Sequence, residues 1–269
     1  MNRIDRKLTD LRAKGEKALV LYVAAGDPFP TVEGTASVLL TLARGGADII
    51  ELGIPYSDPL ADGPVIQAAT QRALDAGVNP PFIFDVIRRV RKEVDTPIVL
   101  MGYYNTVLKT GLAKFAREMA AAGADGVILS DLPPEEADNW KAEADANGIA
   151  TIFLLSPTST TERIGIVAAK MTSGFVYCVS RTGVTGAKSD VPVDLLAVIE
   201  SIRSATSLPI CVGFGVSNAA QVRTIGEMCD GAVIGSKLVD FLNGVSDNAD
   251  WSNQAVALIK DWKAGTLPA

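Results

Sequence analysis

Histidine is absent from the chain of 269 residues. The side chain that most often moves protons near neutral pH is therefore missing, and acid–base chemistry falls to carboxylates, Tyr, Lys or Cys. The same absence removes the usual nitrogen ligand of a catalytic transition metal, so no metal site is expected. Cysteine is scarce: Cys178, Cys211 and Cys229 form an odd set without CxxC or metal-ligand spacing. Cys178 and Cys211 lie in apolar, strand-like runs and read as small core residues, which fits a reducing cytosol. No basic run exists and net charge is −6, which argues against nucleic acid or an anionic membrane as partner. The acids are spread along the chain as on a solvated surface. No apolar run is long enough to span a membrane, and the opening Met1-Asn2-Arg3-Ile4-Asp5-Arg6-Lys7 lacks a signal-peptide core. A cytoplasmic location is expected, or a plastid stroma if the source is a plant, although no transit peptide is seen.

What the chain does have is apolar content, 48% of residues, enough to bury a large core. Eight short β-rich runs are bounded by Gly, Pro or Asp: 18–25, 48–53, 97–102, 126–130, 150–155, 174–180, 209–213 and 231–235. Stretches of helical period separate them, at 32–44, 82–94, 112–122, 134–146, 161–171, 195–204 and 219–228. Strands alternating with helices imply a parallel sheet covered on both faces. So many alternations without a Pro/Ser-rich linker predict an α/β fold, one (β/α)8 TIM barrel over residues 1–269. Two open doubly wound sheets are the alternative, disfavoured because no GxGxxG follows the first strand. Extra helices are expected at both ends. Residues 2–14 carry Ile4, Leu8 and Leu11 on one face and could plug the barrel's bottom; 251–262 is similar. Gly46-Ala47-Asp48, Gly123-Ala124-Asp125 and Cys229-Asp230-Gly231-Ala232 echo one another as a helix stop followed by a turn acid, which reads as punctuation without catalytic weight.

In a closed barrel, chemistry gathers where the strands end. The segment from Glu51 to Pro64 puts one carboxylate at the end of an apolar run and two more, Asp58 and Asp62, in a Pro- and Gly-rich loop. Glu51 in a run buried on both faces is either a structural acid paired with Lys or Arg, or a proton-handling group whose pKa burial raises. Strand-end placement favours the second. Asp62 reads as a helix cap or as a loop carboxylate accepting from a substrate N–H. Asp58 shapes a turn or meets a partner, and Asp131 fits a turn or cap. Gly213-Phe214-Gly215 and Gly235-Ser236-Lys237 follow the last two strands, where backbone amides and a helix opening at Ser236 suit a phosphate monoester. The Gly-rich stretch 181–189 reads as a lid or as plain disorder. None of the eight runs contains a lysine, which excludes a Schiff-base aldolase inside the barrel. Carboxylate-driven cleavage or isomerisation of a phosphorylated substrate remains.

The 51–64 segment, with Ala25-Gly26-Asp27-Pro28, Ser180-Arg181-Thr182-Gly183-Val184-Thr185-Gly186 and Gly213-Phe214-Gly215, resembles the tryptophan synthase alpha chain family, in order and over essentially the whole chain. The resemblance implies a lyase that splits indole-3-glycerol phosphate into indole and glyceraldehyde 3-phosphate. Glu51 would be its acid–base residue and Asp62 the acceptor of the indole N–H. Thr185 would be the lid residue that bonds that aspartate. Gly186, Gly213, Gly215, Gly235 and Ser236 would hold phosphate, and Tyr22 and Tyr177 would line the substrate. It further implies a beta-chain partner in an α2β2 assembly, met by Pro55, Asp58, Leu132 and Pro133. Pyridoxal phosphate would belong to that partner, with no cofactor in this chain. Tyr56 stands where some members carry Phe. Two other readings stay open: a standalone indole-releasing lyase, and a non-catalytic barrel that activates a partner.

Overall fold

The computed structural model describes residues 2–179, 193–213 and 215–268. In chain order the elements are α1 (Arg3–Ala13), β1 (Ala18–Ala24), α2 (Val32–Gly45), β2 (Ile49–Gly53), α3 (Pro64–Asp75), α4 (Pro80–Val90), β3 (Ile98–Gly102), α5 (Tyr104–Thr110), α6 (Leu112–Ala122), β4 (Gly126–Leu129), a 3-10 turn (Pro134–Glu136), α7 (Asp138–Ala146), β5 (Ala150–Ile152), β6 (Leu154–Leu155), α8 (Thr161–Lys170), β7 (Val176–Val179), α9 (Val193–Ala205), β8 (Ile210–Gly213), α10 (Ala219–Met228), β9 (Gly231–Ile234), α11 (Ser236–Val245) and α12 (Trp251–Ala264). All strand pairs are parallel, in the order β5-β4-β3-β2-β1-β9-β8-β7-β6. The two ends of that order, β5 and β6, are one stretch broken only at Phe153. The Tyr177 amide donates to the Phe153 carbonyl at 3.2 Å, carrying the ladder across the break. The sheet thus closes as the expected eight-stave barrel, with the fifth stave divided. No helix among the described residues is long and apolar enough to cross a membrane.

Strand periodicity sorts the core into an inside and an outside. Val20, Ile49, Val99, Ile128, Ile152, Tyr177, Cys211 and Val233 pack together in the interior. Their neighbours Leu19, Leu21, Ile50, Leu52, Leu100 and Val127 pack outward against the helices. The N-terminal helix is the plug that its pattern predicts: Ile4, Leu8 and Leu11 are buried in the interior cluster.

The echoed aspartates are more than punctuation. The Asp48 amide donates to the Leu19 carbonyl at 2.9 Å, while its Oδ2 accepts from the Leu19 amide at 2.8 Å. Asp125 does the same to Ile98, and Asp230 to Ile210, with side-chain bonds of 2.9 Å each. Each aspartate carries a cation as well: Lys263 on Asp48, Arg91 on Asp125 and Arg203 on Asp230, all at 2.7 Å. An acid placed just before one strand therefore latches the start of the strand beside it.

Three helical segments also differ from expectation. The stretch 134–146 splits into the 3-10 turn and α7, since Pro133 and Pro134 lack amides and hold the chain extended ahead of the turn. Helix α4 spans Pro80–Val90 instead of 82–94, because Asn79 accepts from the Phe82 amide and caps it, with prolines at its first positions. Helix α5 was not expected. Asp131, from the next strand's end, accepts from the Tyr104 amide at 2.7 Å and caps it from outside the local sequence.

Removing one latch leaves a buried cation without its partner. Asp125→Ala, which strands the nearly buried Arg91, is expected to lower the unfolding free energy by about 3–5 kcal/mol in urea titrations. Asp85→Ala, which breaks the exposed pair with Arg88, should cost under about 1 kcal/mol.

Candidate active site

Glu51 shares its parity with the interior Ile49, so its side chain enters the barrel from β2, beside Tyr22 in register. It is 1% exposed. Neither carboxylate oxygen has a hydrogen-bond partner among the described residues. The structural-acid alternative required a Lys or Arg, and none among the described residues reaches it. Burial alone raises its pKa to about 8, against about 4.3 for a free glutamate. Burial also pushes the Tyr22 and Tyr177 phenols well above their ordinary range, with the Glu51 charge adding to both. They remain neutral, able to donate a hydrogen bond and unable to neutralise a carboxylate. Two glycines make room for these rings. A side chain at Gly53 would collide with the Tyr22 hydroxyl, and one at Gly213 with the Tyr177 hydroxyl.

Asp62 sits half-buried in the loop after β2. It does not cap α3: Gly63 holds that position, with no side-chain hydrogen bond. Its Oδ2 accepts from the Tyr103 hydroxyl at 3.2 Å, and the same hydroxyl accepts from the Ala61 amide at 2.9 Å. Burial raises the Asp62 pKa and the Tyr103 bond lowers it. Its charge bears on Tyr22 and Tyr177, as does that of Glu51, so both carboxylates lie within electrostatic reach of the two phenols. Tyr103, stacked on Tyr56 with ring centroids 5.0 Å apart, was missed in the sequence. Its signal was a tyrosine at a strand end, without a motif around it.

At the last staves, Gly213 closes β8 and Gly215 follows with φ +83°. Gly235 precedes α11, which starts at Ser236 and has no side-chain cap. The first amides of that helix are free of side-chain competition at the C-terminal end of the barrel, where an anion fits. Thr185, Gly186 and the 181–189 stretch lie outside the described residues. Of the four expected docking residues, Pro55 and Leu132 are buried within the chain, Pro133 is half-buried and Asp58 is exposed. Leu60, two residues on, is 93% exposed. A cleft of about 400 Å³ between α2 and α4 lies away from this face. Its Arg89 is already spent on Glu33 and Glu93.

The family model for the tryptophan synthase alpha chain matches residues 8–266. The chain belongs to the tryptophan synthase alpha chain family. Tryptophan synthase alpha chains of Geotalea daltonii and Geobacter sp. (strain M21) are 49% and 44% identical to it, over 89% and 99% of this chain and 89% and 98% of theirs. The solved structure of tryptophan synthase subunit alpha from Legionella pneumophila str. Paris superposes with a TM-score of 0.89 at 35% identity, covering 99% of this chain and 98% of that one. A structure of Mycobacterium tuberculosis tryptophan synthase gives 0.89 at 34% identity, over 100% and 99%. As in other alpha chains of known fold, the staves here form a parallel barrel with helices outside.

The raised pKa of Glu51 has a thermodynamic signature. The folded carboxyl holds its proton up to about pH 8, whereas the unfolded one loses it near pH 4.5. Between these values the native state binds more protons, so stability falls as pH rises. Glu51→Gln removes this penalty. The variant should gain stability over the parent at pH 8–9, and the gain should vanish near pH 4.5. Urea titrations at both pH values check this, and an equal gain at both would show that Glu51 is ionised without cost.

Proposed function

We propose that this chain is the alpha subunit of a tryptophan synthase and cleaves indole-3-glycerol phosphate to indole and glyceraldehyde 3-phosphate, with residues 1–269 working as one barrel in the cytoplasm. The observation that carries the residue assignment is Glu51: buried, without a hydrogen-bond partner among the described residues, and facing the barrel interior from the middle of β2. As the neutral acid it gives its proton to C3 of the indole ring, leaving positive charge spread toward the ring nitrogen. Asp62 accepts from the ring N–H and stabilises that charge while Tyr103 holds the carboxylate in place. The carboxylate left on Glu51 then takes the proton of the adjacent glycerol hydroxyl. The C3–glycerol bond breaks, its electron pair returns to the ring, and the hydroxyl carbon becomes the aldehyde. Tyr22 and Tyr177 wall the ring. The phosphate rests on the amides near Gly213, Gly215, Gly235 and Ser236, joined by Gly186, with Thr185 reaching Asp62 on closure. No cofactor in this chain takes part.

In this reading a beta chain carrying pyridoxal phosphate joins as α2β2 and receives the indole. The loop after β2 supports this, because its tip presents Leu60 and Asp58 to solvent while its stem holds Asp62. A residue at the tip of a loop whose stem carries Asp62 is placed to touch a partner while the stem meets the site.

Two measurements test the proposal. Glu51→Gln should lower indole release from indole-3-glycerol phosphate by about 10²–10⁴-fold with an unchanged circular dichroism spectrum. Near-normal turnover would remove Glu51 from the chemistry. Leu60→Asp should weaken association with a beta chain by about tenfold or more in calorimetric titration, leaving basal indole release intact. Undiminished association would place the docking surface elsewhere.

A further inference from the structure

Asp27 follows β1 at the C-terminal end of the barrel, is 5% exposed, and has no part in the chemistry above. Its carboxylate is nonetheless fully engaged, and by two different helices. Arg72 of α3 grips it with a fork, Nε to Oδ1 at 2.7 Å and Nη2 to Oδ2 at 3.1 Å. Asn243 of α11 donates from Nδ2 to Oδ2 at 2.7 Å, and from the same nitrogen to the Val239 carbonyl of its own helix at 3.0 Å.

The identity of those helices gives the contact its interest. Helix α3 is the one the Asp62 loop runs into, starting at Pro64. Helix α11 is the one that opens at Ser236, with uncapped amides aimed at the anion position. Arg72 and Asn243 each lie about two turns below those openings, roughly 10–12 Å along the helix axis. Both helices pack beside β1, and Asp27 bonds to both. If either slid or rotated against β1, the distance between Asp62 and the first turn of α11 would change. A forked guanidinium–carboxylate pair resists such rotation because two parallel bonds fix its plane.

We propose that Asp27 is a positioning residue that, through Arg72 and Asn243, sets the spacing between Asp62 and the anion-binding start of α11. The substrate's ring and its phosphate are held by opposite sides of this joint. Loosening the α3 side would misplace the group that meets the ring, and loosening the α11 side would misplace the amides that meet the phosphate. The inference rests on the lyase reading above.

The test uses the full chain with its beta partner. Indole release is followed well below the melting temperature, and calorimetry follows binding of glycerol 3-phosphate, a probe with the phosphate and no ring. Asn243→Ala should weaken glycerol 3-phosphate by about fivefold and raise KM, with the effect on KM exceeding that on kcat. Arg72→Gln should lower kcat about tenfold with glycerol 3-phosphate binding little changed, and Arg72→Lys should recover part of that loss. If both variants only lower the melting temperature, or alter kcat and probe binding in parallel, the joint is structural and the proposal is overturned. Absence of indole release by the parent protein would sink the lyase reading instead. The probe arm still decides here, since unchanged affinity in Asn243→Ala overturns the joint by itself.

Discussion

The reciprocal bond between Asp48 and Leu19 fixes the register on which the site depends. It pins the start of β2 to the start of β1 by one amide in each direction, or more fully by a main-chain donor and a side-chain acceptor. Three residues further on, Glu51 comes level with Tyr22 and points inward. Because strand side chains alternate, a slip of one residue would turn Glu51 out among the helices and bring Leu52 into the barrel. The carboxylate at the foot of the strand is fully satisfied by an amide and Lys263. The carboxylate at its middle is satisfied by nothing within the described residues. The buried acids are thus treated differently: Asp48 and Asp125 at the bottom and Asp27 at the top are matched by partners, while Glu51 inside the barrel has none among the described residues.

Their surroundings also separate Glu51 and Asp62, two acids of similar chemistry. Glu51 has only burial acting on it, and its proton affinity rises accordingly. Asp62 has burial opposed by the Tyr103 hydroxyl, so its rise is checked. Burial raises both carboxyls, and only Asp62 has a hydrogen-bond donor that opposes the rise. Tyr103 contributes twice, since the bond from the Ala61 amide fixes the hydroxyl that then faces Asp62.

Much of this was legible in the sequence, and the parts that were not share a cause. The eight runs and the amphipathic N-terminal plug follow from local periodicity, which is why they could be read without neighbours. Glu51 could be singled out because a charge in an apolar run is a local anomaly. The split at Phe153 could not be seen, because the run from Ala150 to Leu155 is apolar throughout and the break belongs to barrel closure. Helix α5 depends on Asp131, 27 residues after the amide it caps. The role of Asp125 depends on Arg91 and Arg3, which meet it only across the fold. Asp62 was ambiguous between cap and site for the same reason: the side chain it bonds, Tyr103, is 41 residues away. Contacts at long sequence separation leave no period to detect.

The missing histidines then acquire a physical meaning. A free imidazole titrates near pH 6.5 and exchanges protons at neutrality without help from its surroundings. A free carboxylate titrates some two units lower and is a poor acid at the same pH. Burial without a counter-charge moves Glu51 to about 8 and removes that handicap. The cost is an unpaired carboxyl in the core, which a loosely packed protein would relieve by admitting water or a lysine. Here the neighbours the barrel gives it are the neutral phenols of Tyr22 and Tyr177, and no described lysine or arginine reaches it. Proton exchange near neutrality is thus a property of where the barrel holds this glutamate, and it would be lost if the same residue faced solvent.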